Sequence, residues 1–308
     1  MTMQSSSSKR ARQFYQAYRH GPLRIGHSLI RRFFESCVAR HQVIQLRSGL
    51  KLALDLSKGN QSAIFWSDGD VDLHLYWAIR ELLPLGGWFV DCGANCGLMG
   101  LLARQYRSAR VVFIEPHPRL ASSIRANIAI NDFAADCELI EAAVSDASGE
   151  VAFYEDPRND GSHSLQGDWG DKMKIIGQVS CLKLSEILQT RSLHRIHFLK
   201  VDTEGNDWNA LKSLDKYLRP EQVEVVYAEM TKDRAAATEL MRSRGYIGFA
   251  ATGGGRREIF RQKRLYEAGG QVCFYEPLNE KLHRLGDVLW CGEASTTAQH
   301  LRKLYAQA

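Results

Sequence analysis

The sequence predicts an α/β fold: a mostly parallel central sheet with helices on both faces, preceded by a helical and hairpin extension. Three observations carry this. From Trp88 onward, short apolar runs alternate with amphipathic stretches of helical period, the pattern of βαβ units. The runs are apolar along most of their length, as in Arg110-Val111-Val112-Phe113-Ile114, and strands buried on both faces read that way. Gly-rich or acidic turns follow those runs directly, at the strand ends where open α/β sheets bind ligands.

Taken in order, residues 1–8 are polar and low in complexity, which predicts disorder. Residues 10–40 carry apolar side chains at helical spacing (Phe14, Tyr15, Tyr18, then Leu29, Ile30, Phe33, Phe34, Val38), and Gly21-Pro22 divides them into two short helices. Arg31 and Arg32 flank the second apolar face, which either docks on the main domain or lies on a membrane surface. Val43 to Arg47 and Lys51 to Leu56 alternate around Ser48-Gly49 and predict a β-hairpin. A helix over 72–83 ends at Pro84 and Gly86-Gly87. Strands follow at 88–90, 110–114, 138–143, 196–201 and 223–228, with helices at 97–106, 119–131, 208–218 and 233–244 between and after them. Residues 147–190 are read as an insertion with one or two short strands and a loop rich in Gly, Asp and Ser. Gln271 to Tyr275 supply a late edge strand. The expected domains are an extension over 1–83 and an α/β domain over 84–308.

Composition excludes several classes. The 308 residues are 44% hydrophobic and 24% charged, which is ordinary for a globular chain and not for a disordered, collagen-like or coiled-coil one. No run approaches ~18 consecutive apolar residues, so no transmembrane helix is expected. The N-terminus lacks the apolar segment of a secretory signal. Seven cysteines at scattered spacing read as free thiols of a reducing, cytoplasmic setting. Charge is uneven. Residues 1–50 hold nine Lys/Arg and one acid, a net of +8, so the rest of the chain sums to −3 against a total of +5. A basic arm on a slightly acidic body is either a solvated helical face or a contact for a polyanion or anionic membrane. Nucleic acid is not expected, since no aromatic-interleaved reader motif accompanies the arm.

Two motifs carry chemistry. Val90-Asp91-Cys92-Gly93-Ala94-Asn95-Cys96-Gly97 follows a strand and opens a helix. Its glycines do not fall at the G-x-G-x-x-G spacing of a dinucleotide site. Asp91, just before the turn, suits a cationic ligand head better than a pyrophosphate. Glu115, directly after the next strand, is placed to accept hydrogen bonds from a ribose diol. Together they fit a nucleoside with a positively charged amino-acid end, the shape of S-adenosylmethionine. The second motif, Phe198-Leu199-Lys200-Val201-Asp202-Thr203-Glu204-Gly205, sets three ionisable groups at alternate positions. An extended chain would turn all three to one side, where they pair with one another or act on a ligand. Cys92 and Cys96 lack partner ligands at zinc spacing and read as small fillers.

With these motifs in view, the chain resembles the FkbM family of methyltransferases. The resemblance rests on 90–97, on Phe113-Ile114-Glu115-Pro116, on Ala143-Val144-Ser145-Asp146, on 199–205 and on the loop Asn159 to Leu165, in correct order over roughly residues 85–250. Asp207 departs from it, standing where a Glu is more usual. The resemblance implies a Rossmann-like class I methyltransferase fold with S-adenosylmethionine as donor, and O-methylation of a sugar or other small hydroxylated metabolite. It implies cofactor contacts from Asp91, Gly93, Ala94, Asn95, Gly97, Glu115 and, through its backbone beside adenine, Ala143. By position, Asp202 and Glu204 are candidate general bases, with His163 a third whose loop would cover the site. Glu229 is placed to reach the same cleft. A divalent cation on Asp202, Glu204 and Glu229 is chemically compatible, but no metal is assigned. Competing readings are a non-catalytic S-adenosylmethionine-binding scaffold and a nicotinamide-dependent oxidoreductase.

Overall fold

The computed structural model describes residues 10–13, 38–157, 159–167, 173–229, 233–251, 266, 269, 275–277 and 287–307. The expected disorder of 1–8 lies outside them, as do most of the two expected N-terminal helices and residues 271–274 of the expected edge strand.

The elements run β1 (His41–Gln45), β2 (Lys51–Asp55), α1 (Gly59–Ser67), α2 (Leu73–Leu82), β3 (Trp88–Cys92), α3 (Leu98–Arg107), β4 (Arg110–Ile114), α4 (Pro118–Ile130), β5 (Cys137–Ile140), β6 (Ala143–Val144) and β7 (Gly149–Asp156). They continue through β8 (Asn159–Ser164), β9 (Lys174–Leu182), α5 (Leu184–Thr190), β10 (Ile196–Val201), α6 (Asp207–Lys212), β11 (Val223–Glu229), α7 (Arg234–Ser243), β12 (Tyr246–Ala251), β13 (Tyr275–Pro277), β14 (Asp287–Gly292) and α8 (Thr296–Gln307). The main sheet has eight strands in the order β13-β12-β14-β11-β10-β3-β4-β5. Strands β11, β10, β3, β4 and β5 pair in parallel. Strand β14 runs antiparallel between β11 and β12. From β3 the chain winds outward to β5, then returns to β10 on the other side of β3. The reversal makes the C-terminal ends of β3 and β10 a crevice.

Successive side chains of these strands enter two different cores. Phe89, Val111, Phe113, Phe198, Val225 and Leu289 pack on one face with α2, α3, α4 and α8. Val90, Val112, Ile114, Leu199, Val226 and Trp290 pack on the other with α5, α6 and α7. Period-2 alternation into two buried layers is why the strands read as unbroken apolar runs. The hairpin, α1 and α2 share the first core through Leu52, Leu54, Ile64, Phe65 and Trp77. Arg12, buried at 7% exposure, donates to the Phe65 carbonyl at 2.9 Å and pairs with Asp68, so one cation of the basic arm is spent internally.

Two sequence expectations are corrected. The strand expected over 138–143 divides. Its first half is β5, while Ala143 and Val144 turn away to pair with Cys181 and Leu182. The 147–190 segment holds more strand than expected: its β7, β8 and β9, joined by β6 just before it, form a separate four-stranded sheet, with β7 antiparallel to both β9 and β8. The run 159–165 is therefore mainly strand and not a loop. Its Gly, Asp and Ser are poor strand formers, and cross-strand pairing overrides that preference.

Candidate active site

The crevice is built on one ion cluster. Asp91, fully buried near the end of β3, accepts from the Gly100 N–H through Oδ2 at 3.0 Å. Its Oδ1 is buried and pairs with Lys200 Nζ at 3.3 Å. Lys200, on β10 beside β3, donates to the Gly93 carbonyl at 2.8 Å and lies 3.3 Å from Asp202 Oδ2. Burial pulls the lysine pKa down, but Asp202 and Asp91 outweigh it and hold the ammonium above its ordinary value. Burial raises Asp91, and Lys200 draws it part of the way back. Two carboxylates on one ammonium leave a surplus of negative charge, which suits a cationic head.

The turn after β3 is tight because it must be. Gly93 has φ +76°, and a Cβ there would lie 1.7 Å from the Asp202 carbonyl oxygen. Gly97, at φ +84°, starts α3 from the left-handed region, which favours glycine. Gly93 and Ala94 N–H groups both donate to the Ile114 carbonyl, at 3.0 and 3.2 Å. Asn95 (φ +55°) accepts the Cys96 N–H on its own side chain at 2.8 Å, the local bond that lets Asn adopt this conformation. Its backbone N–H donates to Glu115 Oε2 at 2.8 Å, and His117 N–H donates to Oε1 at 2.9 Å. Burial pushes Glu115 up to about 7 despite these two N–H donors. Each carboxylate oxygen keeps acceptor capacity for a hydroxyl.

Strand β10 stops at Val201, so the expected alternation of Lys200, Asp202 and Glu204 does not continue. Lys200 and Asp202 meet as an ion pair, while Glu204 (φ +51°) and Gly205 (φ +91°) turn back into the crevice wall. Asp207 holds this turn. It accepts from Thr203 N–H at 2.7 Å, Thr203 Oγ1 at 3.1 Å and Gly205 N–H at 3.3 Å. Burial pushes its pKa up to about 6. The small sheet braces the same turn: Ser164 Oγ donates to the Glu204 carbonyl and Gln166 Nε2 to that of Gly205, both at 2.7 Å. Asn206 Nδ2 donates to the Val144 carbonyl at 2.6 Å. Replacing Asp207 by Ala is expected to cost about 1–3 kcal/mol of stability, because three donors lose their acceptor. Urea unfolding measures this, and an unchanged midpoint would remove Asp207 from the role.

These elements surround one cavity of about 210 Å³. Asp91, Gly93, Ala94, Asn95, Glu115, Ala143, His163, Asp202 and Glu204 line it. Gly97 sits just behind, capping α3, and Glu229 is not in the lining. Burial and the adjacent His117 push His163 down to about 3, which leaves its ring neutral near pH 7. The sequence reading missed Asp72, Asn206 and Phe153, which also line the cavity. Asp72 was legible only as the start of a helix. It caps α2 at the Leu75 N–H and accepts from Tyr227 OH at 3.1 Å, a contact 155 residues away in sequence that no local signal records. Asn60, Ile64 and Val71 bring the α1 segment into the same wall.

The methyltransferase FkbM domain matches residues 91–247, slightly more than half the chain. This chain belongs to the FkbM methyltransferase family. Family membership brings S-adenosylmethionine as the cofactor. The FkbM chain is 27% identical to "Methyltransferase sdnD" of Sordaria araneosa over 164 residues, 44% of this chain and 62% of that protein. It thus spans less than two thirds of that relative. It is 28% identical to "Methyltransferase 1" of Beauveria bassiana (strain ARSEF 2860) over 187 residues, 53% of this chain and 73% of that protein. Among solved structures, a precorrin-6y C5,15-methyltransferase from Geobacter metallireducens GS-15 is 14% identical, covering 71% of this chain and 86% of its own, with a TM-score of 0.37. The strand order of the main sheet, not that likeness, assigns this FkbM chain to the Rossmann-like class I methyltransferase fold. The residues fit the cofactor. Asp91, Asp202 and Glu115 all line the cavity, carboxylates of the kind a cationic head and a ribose diol require.

Proposed function

We propose that this chain transfers the methyl group of S-adenosylmethionine to a hydroxyl of a saccharide or other small hydroxylated metabolite. Asp202 carries the reading. Its side chain is 37% exposed, lines the cavity and is held 3.3 Å from Lys200, beside the turn suited to the methionine end. When bound, the sulfonium supplies an already electrophilic methyl group. An alcohol acceptor therefore needs alignment and a proton acceptor in reach. In this reading Asp91 and residues 93–97 hold the methionine end, Glu115 the ribose, and Ala143 lies beside the adenine. Asp202 takes the hydroxyl proton, and Lys200 fixes its position. Glu204 and the neutral His163 shape the acceptor end. Asp202→Asn is expected to lower kcat by about 10²–10⁴, a larger factor than the weakening of S-adenosylhomocysteine binding that loss of its charge brings. Radiolabelled transfer to a panel of sugars and hydroxylated metabolites measures it. Unchanged kcat in the variant, or transfer to amines alone, would overturn the proposal. Cofactor binding with no transfer to any acceptor would favour the scaffold reading.

Glu115 gives a pH signature. A ribose diol donates to the carboxylate form, so binding favours proton release. Affinity then rises as pH passes upward through about 7 and falls below it, in step with the raised carboxyl. Calorimetric titration with S-adenosylhomocysteine should show this slope. Glu115→Ala should weaken binding by about 1–3 kcal/mol and abolish the slope.

A cytoplasmic setting belongs to the same proposal. The five cysteines among the described residues are free, and no helix among those residues is long and apolar enough to cross a membrane. The basic N-terminal arm is proposed as a peripheral contact for an anionic surface, read by vesicle binding with and without residues 1–37.

A further inference from the structure

Beside the cofactor cavity, three side chains from separate elements converge with the chemistry of a metal site. His117 follows β4, Glu155 lies on β7 and His163 on β8. Glu155 and His163 are direct cross-strand partners. One ligand atom of each lies within 4.8 Å of the other two. Glu155 Oε2 is 3.1 Å from His117 Nε2 and 4.0 Å from His163 Nε2. The two imidazoles pack with centroids 4.3 Å apart, and Phe153 closes one side of His163. A separate observation points the same way: among the described residues, His163 Nε2 is buried without a hydrogen-bond partner, on a side chain only 6% exposed. An unpaired buried polar atom is costly, and a metal ion would supply its partner.

We propose that His117, Glu155 and His163 bind a divalent transition metal of the zinc class. Two imidazoles and one carboxylate are a ligand set suited to zinc, and three protein ligands leave a further coordination position. Magnesium and calcium prefer sets made of oxygen. Glu155 and His163 belong to the small sheet, whereas the His117 N–H donates to Glu115. The ion therefore staples the small sheet to the ribose-side acid. Arg119 is the competing cation. Its Nη2 lies 3.4 Å from Glu155 Oε2 and 3.5 Å from His117 Nε2, on a side chain 41% exposed that is free to swing outward. His117 Nδ1 accepts the Arg119 N–H at 3.2 Å, which places the proton of a neutral ring on Nε2. Metal binding moves that proton to Nδ1 and gives up this contact. Lys58 is the other cation felt at His163.

The test uses the full chain, stripped with a chelator and titrated with Zn²⁺ by calorimetry and with Co²⁺ by visible absorption. One ion per chain is expected, with cobalt d–d bands and no thiolate charge-transfer band. His163→Ala and Glu155→Gln should each weaken binding by more than about 100-fold, since losses outside the ligand shell alone reach 10–100-fold. Arg119→Ala should strengthen it. Circular dichroism and thermal unfolding of the metal-free variants confirm that they are folded, and the wild type and Arg119→Ala, but neither ligand variant, should gain melting temperature with zinc. Absence of saturable binding, wild-type affinity in both ligand variants, or a thiolate band placing the ion on cysteine would overturn the site. None of these outcomes depends on whether a hydroxyl is methylated.

Discussion

Gly93→Ala is expected to abolish S-adenosylhomocysteine binding and destabilise the fold by about 3–5 kcal/mol, a large loss of the kind that strain at a special backbone position and overpacking produce. The overlap is with backbone: the new Cβ would lie 1.7 Å from the Asp202 carbonyl oxygen and 2.8 Å from its carbon. A side chain would rotate away, but this carbonyl cannot. The neighbouring N–H of Asp202 is tied to the Cys92 carbonyl at 3.1 Å, so yielding at 202 parts β10 from β3. The φ of +76° adds strain even without the overlap. Calorimetry and thermal unfolding read both effects. Wild-type affinity in the variant would mean that the two strand ends separate freely, contrary to the packing described.

Lys200→Met is expected to cost about 3–5 kcal/mol, because removing one partner of a buried ion cluster strands the charge left behind. Asp91 is fully buried, and the 2.8 Å bond to the Gly93 carbonyl is lost as well. The energetics separate in a double-variant cycle. Asp91→Asn in the Lys200→Met background removes the stranded carboxylate and should recover part of the loss. If Asp91→Asn and Lys200→Met instead add independently in denaturant unfolding, the two groups are not coupled and the cluster is not the organising feature of the crevice.

Legibility in the sequence followed the range of the contacts. Strands β3, β4, β10 and β11 were readable because burial on both faces writes itself as a continuous apolar run. Asp91, Gly93 and Glu115 were readable because a strand end followed at once by a turn confines what the next residue can do. Strands β12 and β14 were not found. Tyr246 to Ala251 and Asp287 to Gly292 contain glycine and polar residues, and their strand state comes from pairing with each other. Helix α1 was missed for a related reason. Gly59, Asn60 and Ser62 are weak helix formers, and packing of Ile64, Phe65 and Trp66 into the core decides the matter. The expected alternation past Val201 failed because it assumed an extended chain, whereas Asp207 pulls residues 203–205 into a turn. Asp72 and the convergence of His117, Glu155 and His163 are products of tertiary geometry, invisible to any window along the chain.

The position of β14 bears on how the chain is made. This strand, residues 287–292, is seated between β11 and β12, so the sheet has a vacant interior lane until those residues have left the ribosome. A nascent chain ending before residue 287 would present β11 and β12 as two unpaired edges with apolar side chains such as Val226 and Phe249 beside them, a template for wrong partners during synthesis. Completion of the cofactor-binding half, β3 to β5 and β10, does not wait for β14. The crevice and the far side of the sheet are therefore finished at different times, and shielding of the nascent chain matters most in the interval between them.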